Sequence, residues 1–147
     1  MIDNNFQLIE FGNLIRTLFH VFENRINEQD EEKIKVNSHQ FAFLYSIKIK
    51  DVEVNQQDMA NAMKKDKSVI LRTIDVLEEK DLIRRVVDKN DRRKNHLMVT
   101  KTGMRVIERY SKIGEGILDK IHEGIDQKDL QVCYKVLDKL VINAKNL

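Results

Sequence analysis

Proline is absent from the 147 residues, tryptophan is absent too, and glycine occurs only five times. A chain with so few backbone breakers is expected to be mostly helical, with few irregular loops. The one cysteine, Cys133, excludes an internal disulfide and a cysteine-rich zinc site, and it fits a reducing cytoplasm. No apolar run is long enough to span a bilayer. The opening "MIDNNFQLIE" lacks the basic region and apolar core of a secretory signal. Charge of one sign is also scarce overall, because 26 basic side chains nearly balance 24 acidic ones. Apolar residues make up 41%, enough to bury a core.

The small net charge hides an uneven distribution. Residues 1–54 carry 6 basic and 9 acidic side chains, and residues 102–147 carry 8 and 7. Residues 55–101 carry 12 against 8, so the positive excess lies in the middle third. A local basic surface is an electrostatic footprint for phosphate.

One helix-start signal occurs four times. "VNSHQF", "VNQQDM", "VTKTGM" and "IDQKDL" each place an apolar residue before a small polar one, with a second apolar residue four positions after the cap. The polar residues are Asn37, Asn55, Thr100 and Asp126, each able to cap the first free amides of a helix. The flanking apolar pair can staple the start. Gly103 stands where the other three have an acid or amide, which predicts a weaker start there. Asp66 is a fifth candidate cap. Together these signals predict helices near 5–29, 38–49, 56–63, 67–80, 101–121 and 127–145, with two short strands near 83–87 and 96–99. The N-terminal helix carries Leu8, Phe11, Leu14, Ile15, Leu18, Phe19, Phe22 and Ile26 on one broad stripe.

A short helix, a tight connection and a second helix describe a helix-turn-helix, whose second helix lies in the major groove. The outward face of 67–80 would carry Lys67, Ser68, Val69, Leu71, Arg72 and Asp75. The hairpin that follows has the tip "DKNDRRKN", with Lys89, Arg92, Arg93 and Lys94 beside Asp88 and Asp91. A turn alone needs small residues with permissive backbones, not adjacent arginines. Arginine enters the narrow, negative minor groove well, and Asp91 is close enough in sequence to orient Arg93.

The segments "DRRKNHLMVTKTG" and "NQQDMANAMKKDKSVILRTIDVLEEKDLI" resemble the MarR-type winged-helix transcriptional regulators. In the first, Asp91, Arg93, Val99, Thr100 and Gly103 match the family's wing; in the second, Ser68, Arg72 and Leu77 match its helix-turn-helix. The resemblance implies a mainly α fold with a small β-wing: a winged helix-turn-helix over 35–100, between dimerisation arms at 1–34 and 101–147. It implies double-stranded DNA as partner, with Lys67, Ser68, Val69, Leu71, Arg72, Asp91, Arg92, Arg93 and Lys94 as contacts. A homodimer on a pseudo-palindromic operator follows, as do repression and release by a small, often aromatic and anionic ligand. Phe19, His20, Phe22, Phe41, Tyr45 and Tyr110 are candidate lining for such a ligand, with Arg109 as its anion partner. Two departures stand out. Asp81 replaces a usual glycine, and Val69 and Leu71 replace usual threonines that face DNA, so no operator sequence transfers.

Other function classes have less support. Catalysis would have to pair His39 or His96 with carboxylates, and no nucleophile motif, glycine-rich phosphate loop or metal-spaced His/Cys cluster is present; neither a catalytic residue, a metal nor a cofactor is expected. A winged helix that binds protein instead of DNA, without ligand response, is one alternative. A redox sensor working through Cys133 is another.

Overall fold

The computed structural model of the chain describes residues 4–50, 53–88 and 95–147, with side chains from Ile9 onward. Six helices and three strands follow in the order α1 (Asn4–Gln29), α2 (Ser38–Lys48), β1 (Val54–Asn55), α3 (Gln56–Met63), α4 (Lys67–Glu79), β2 (Ile83–Val87), β3 (Asn95–Val99), α5 (Lys101–Ile121) and α6 (Gln127–Lys145). The predicted mainly α chain with a small β-wing is therefore the fold observed. Two compact units divide it, Met1–Glu115 and Gly116–Leu147, with the boundary inside α5.

The helix starts show why these boundaries hold. Asn37 and Gln40 satisfy each other's backbone amides, and Asn55 and Asp58 do the same. The Thr100 hydroxyl accepts the Gly103 N–H at 2.9 Å, so α5 is capped despite the glycine. Asp126 accepts the Lys128 N–H at 2.7 Å. Asp66 departs from expectation: it occupies the cap position of α4 in extended conformation, but its side chain makes no capping bond.

Gly103 has a packing reason rather than a capping one. A Cβ there would lie 2.1 Å from the Leu82 carbonyl oxygen and 2.7 Å from Val99 Cγ1. The same carbonyl accepts the Thr100 N–H at 3.0 Å, so the start of α5 is seated against the chain just before β2.

β1 is the element that sequence reading missed. It has two residues, too few for a period-2 signal. β3 lies between β1 and β2, antiparallel to both, with Val54 opposite Leu97 and Ile83 opposite Val99. The core lies beneath this sheet. Phe43, Leu44, Met59, Ile70, Ile74, Leu77, Leu82, Ile83, Val106 and Ile107 are fully buried in it. Ile70, Ile74 and Leu77 are the inner stripe of α4, spaced so that one helix face enters the core and the opposite face stays in solvent.

The flanking helices behave differently. Along α1, Phe11, Leu14, Ile15, Leu18 and Phe19 are exposed, and only Phe22 and Ile26 of the described stripe are partly covered. α6 has no buried residue, and Val132, Val136, Leu140, Val141 and Ile142 are exposed.

Candidate nucleic-acid interface

α4 builds the outward surface. With Ile70, Ile74 and Leu77 fixed inward, Lys67, Ser68, Val69, Leu71 and Arg72 are all exposed. Lys67 and Ser68 occupy the first turn, where the uncapped start leaves helix amides pointing outward. Val69 and Leu71 are 48% and 43% exposed and stand among Lys67, Ser68 and Arg72 on this face.

Asp75, expected on the same outward face, has another task. Arg85 of β2 donates one guanidinium nitrogen to Asp75 and another to Glu78, while its backbone N–H meets Glu78 Oε1 at 3.0 Å. The Asp75 hydrogen bond, with Glu78 assisting and burial opposing, raises the Arg85 guanidinium above its ordinary value. This fork ties the recognition helix to the first strand of the wing, so the two cannot turn independently.

The connection between them is short and strained at one residue. Asp81 adopts φ 54°, the left-handed conformation for which glycine is the usual solution. Its carboxylate reaches Arg84 at 3.2 Å and Thr102 at 3.3 Å, and its carbonyl accepts the Thr100 hydroxyl at 2.6 Å. Local hydrogen bonding of this kind is why aspartate tolerates the position.

The tip residues Asp91, Arg92, Arg93 and Lys94 lie outside the described residues, together with Lys89. Their two stalks are described: β2 ends at Val87 and β3 begins at Asn95, paired to each other in register. At the tip-side end of the stalks His96 Nε2 stands 2.5 Å from Asp88 Oδ2 and 3.1 Å from Glu53 Oε2. The Asp88 hydrogen bond is the main influence raising the His96 imidazole above its ordinary value, with the Glu53, Asp88 and Asp58 charges adding to it and burial opposing. Catalysis would have to pair His96 with carboxylates; the structure sets it beside Asp88 and Glu53 at the tip-side end of the stalks.

The candidate ligand-lining residues separate into two groups. Phe41, Tyr45 and Tyr110 form a stack, with centroids 5.9 Å apart for Phe41–Tyr45 and 5.6 Å for Phe41–Tyr110. Phe19 and His20 are exposed on α1, where His20 bonds Asn24 at 3.1 Å. Phe22 lies toward Gly114 of α5. Arg109 is already engaged: Nε lies 2.8 Å from Oδ1 of Asp30, and a terminal nitrogen donates to the Ile34 carbonyl at 3.0 Å.

Asp30 is the residue that sequence reading overlooked. It is the one buried charged side chain among the described residues, placed just past the end of α1. Burial pushes its carboxyl up. The Tyr110 hydroxyl, the Arg109 and Lys35 charges and the Glu32 amide outweigh that and hold it below the ordinary value. Tyr110 also accepts the Val36 N–H at 3.2 Å, and burial raises its own hydroxyl. Nothing local in "NEQDEEK" separates Asp30 from its acidic neighbours; only its partners 79 and 80 positions away do.

A helix-turn-helix with an exposed second helix, an antiparallel hairpin directly after it and a third short strand closing the sheet is a winged helix. Residues 36–94 match the MarR family. The matched stretch begins just before α2 and ends just before β3. Solved structures extend the likeness of fold to the arms. Streptococcus pneumoniae FabT in complex with DNA aligns over 98% of this chain and 99% of its own, with TM-score 0.78 and 18% identity. The Staphylococcus aureus MepR–DNA complex aligns over 91% and 97%, with TM-score 0.76 and 20% identity. A MarR protein from Peptoclostridium difficile aligns over 99% and 90%, with TM-score 0.74 and 24% identity. The likeness of fold thus takes in both flanking helices as well as the winged core.

Proposed function

We propose that this chain is a sequence-reading, double-stranded DNA-binding regulator of transcription that works as a two-fold dimer. The observation that carries the reading is the outward face of α4. Five side chains, Lys67, Ser68, Val69, Leu71 and Arg72, stand exposed on a helix whose other face is locked into the core and whose rotation is fixed by Arg85. The uncapped amides at its start suit a phosphate, Arg72 suits a guanine edge or backbone oxygen, and Val69 and Leu71 suit thymine methyl groups. The sequence joining the paired stalks, Lys89 to Lys94, carries the cations that a contact in a neighbouring groove needs. MepR and FabT, each solved with DNA, share this fold.

The dimer reading rests on the uncovered stripes of α1 and α6. A second copy would cover both, and a two-fold pair would present two recognition helices to half-sites about 34–36 Å apart. Repression is the outcome such a compact dimer produces on a promoter. For a releasing ligand, the support is the Phe41–Tyr45–Tyr110 stack, with Tyr45 partly open to solvent. Because Asp30 already neutralises Arg109, ring stacking rather than charge would be the main attraction there.

Selection of bound sequences from random DNA, followed by binding measurements across a salt series, tests the proposal. Affinity should fall steeply with salt, as counterion release requires. Arg72→Ala should cost about 1–3 kcal/mol and relax preference at one position, whereas Arg93→Ala should weaken all sequences alike. A protein-binding winged helix would show neither an enriched sequence nor the salt slope.

A further inference from the structure

The tip-side end of the hairpin holds a cluster that DNA reading does not require. Glu53 immediately precedes β1, Asp88 immediately follows β2 and His96 lies in β3, so members from the ends of two strands meet one inside the third. Their ligand atoms all lie within 4.8 Å of one another, with His96 Nε2 directed between the two carboxylates. From the geometry, we infer that Glu53, Asp88 and His96 form a divalent-cation site, of the zinc class, that locks the wing to the body of the winged helix. This coupling to DNA rests on the function proposed above; the cation site itself does not.

The donor set fits the chemistry. One imidazole nitrogen and two carboxylate oxygens make a three-ligand N/O site, with a fourth position left for water. Ligand distances of about 2.0–2.2 Å place tetrahedral neighbours roughly 3.3 Å apart. The present separations of 2.5 Å and 3.1 Å from Nε2 both fall short of that spacing by less than about 1 Å, a gap that side-chain rotation can open. His96 and Asp88 are largely buried, which pre-positions them, while Glu53 is mostly exposed and can swing in last. A surface groove lined by Lys50, Glu53, Asp58 and Asn61 lies beside Glu53. The cation would displace the proton that Nε2 now shares with the carboxylates, and that proton would leave to buffer. The charge of two carboxylates and a neutral imidazole is balanced by a dication. A cation there would cross-link the chain at β1, β2 and β3 and hold the two stalks against the body of the winged helix.

The test uses the full-length chain stripped with chelator. Zn²⁺ is titrated in competition with a chromophoric chelator, and Co²⁺ is followed by its visible ligand-field bands. One ion per chain is expected, with tetrahedral Co²⁺ bands. His96→Gln and the conservative, solvent-facing Glu53→Gln should each lose at least about tenfold in affinity, and Cys133→Ser should lose nothing. Circular dichroism and Tm identify any variant that has failed to fold; Glu53→Gln covers the case in which His96→Gln does. Equal binding by wild type and both variants would mean adventitious surface ions and overturn the site. The same proteins are then assayed on selected DNA. Zn²⁺ should strengthen wild-type binding about fivefold or more and leave Glu53→Gln unchanged. Zinc bound at the site with no change in DNA affinity would overturn the locking role. Zinc bound with no DNA affinity under any condition would sink the function proposed above while leaving the cation site intact.

Discussion

Asp30 and Arg109 carry the most consequential single-residue interaction in the larger unit. A carboxylate with no exposed side-chain surface meets a guanidinium that is about a quarter exposed, and Tyr110 and Lys35 complete the set. Removing one member leaves the other charge in a poor solvent. Breaking fully buried pairs costs about 3–5 kcal/mol, and partial exposure of Arg109 lowers the expectation for Asp30→Asn to roughly 2–3 kcal/mol. The pH dependence follows from the direction of the shift. The folded-state pKa of Asp30 lies below the ordinary 3.8, so its stabilisation is fully present above that value. It is lost as pH falls through the lower, folded-state value. Denaturant melts of wild type and Asp30→Asn should therefore differ most near neutrality and converge in strong acid. A constant gap across that range would show that the carboxylate charge is not the stabilising feature. None of this was legible beforehand, because a buried aspartate in "DEE" looks like a solvated one until its distant partners are placed.

At the scale of elements, two left-handed or crowded positions give opposite expectations. Gly103 has no room for a methyl group, since backbone rather than a flexible side chain blocks it. Gly103→Ala should shift the start of α5 away from Leu82 and cost about 2–3 kcal/mol. Lys64, which ends α3 at φ 50°, has the reverse problem. Its Cβ is strained there and its backbone N–H bonds would survive a change, so Lys64→Gly should stabilise by up to about 1 kcal/mol. Thermal melts of both variants check the pair, and a stable Gly103→Ala protein would remove the seated-helix explanation. Helix boundaries, by contrast, were readable. Asn37, Asn55, Thr100 and Asp126 all cap as their spacing predicts, because a cap involves residues only a few positions apart. Asp66 fails that rule by leaving its helix start open, at the place where a phosphate would sit.

At the scale of the whole molecule, the uncovered stripes demand an occupant. Ile9, Leu14 and Leu18 on α1 and Val132, Val136 and Leu140 on α6 are each close to half exposed or more. Under the proposed dimer, Leu18→Glu should convert the protein to a monomer in light scattering and weaken operator binding sharply, since each half-site would then be bound alone. A Leu18→Glu protein that stays dimeric would place the interface elsewhere. Sequence periodicity marked the α1 stripe as apolar, but spacing alone does not separate core from interface, because both use the same residue types at the same spacing.

The sequence by itself determined the helix order, the capped starts, the inner face of α4 and the charge on the wing tip. Each depends on residues near one another along the chain, where backbone geometry converts spacing directly into position. The tertiary structure alone decided that Asp30 meets Arg109, that Arg85 forks onto α4, that Gly103 sits against Leu82, and that Glu53, Asp88 and His96 converge. Apart from Arg85, whose partners lie in the helix directly before its strand, those pairings bring together residues far apart in sequence, and only packing the sheet and helices around one core fixes which side chains share a site.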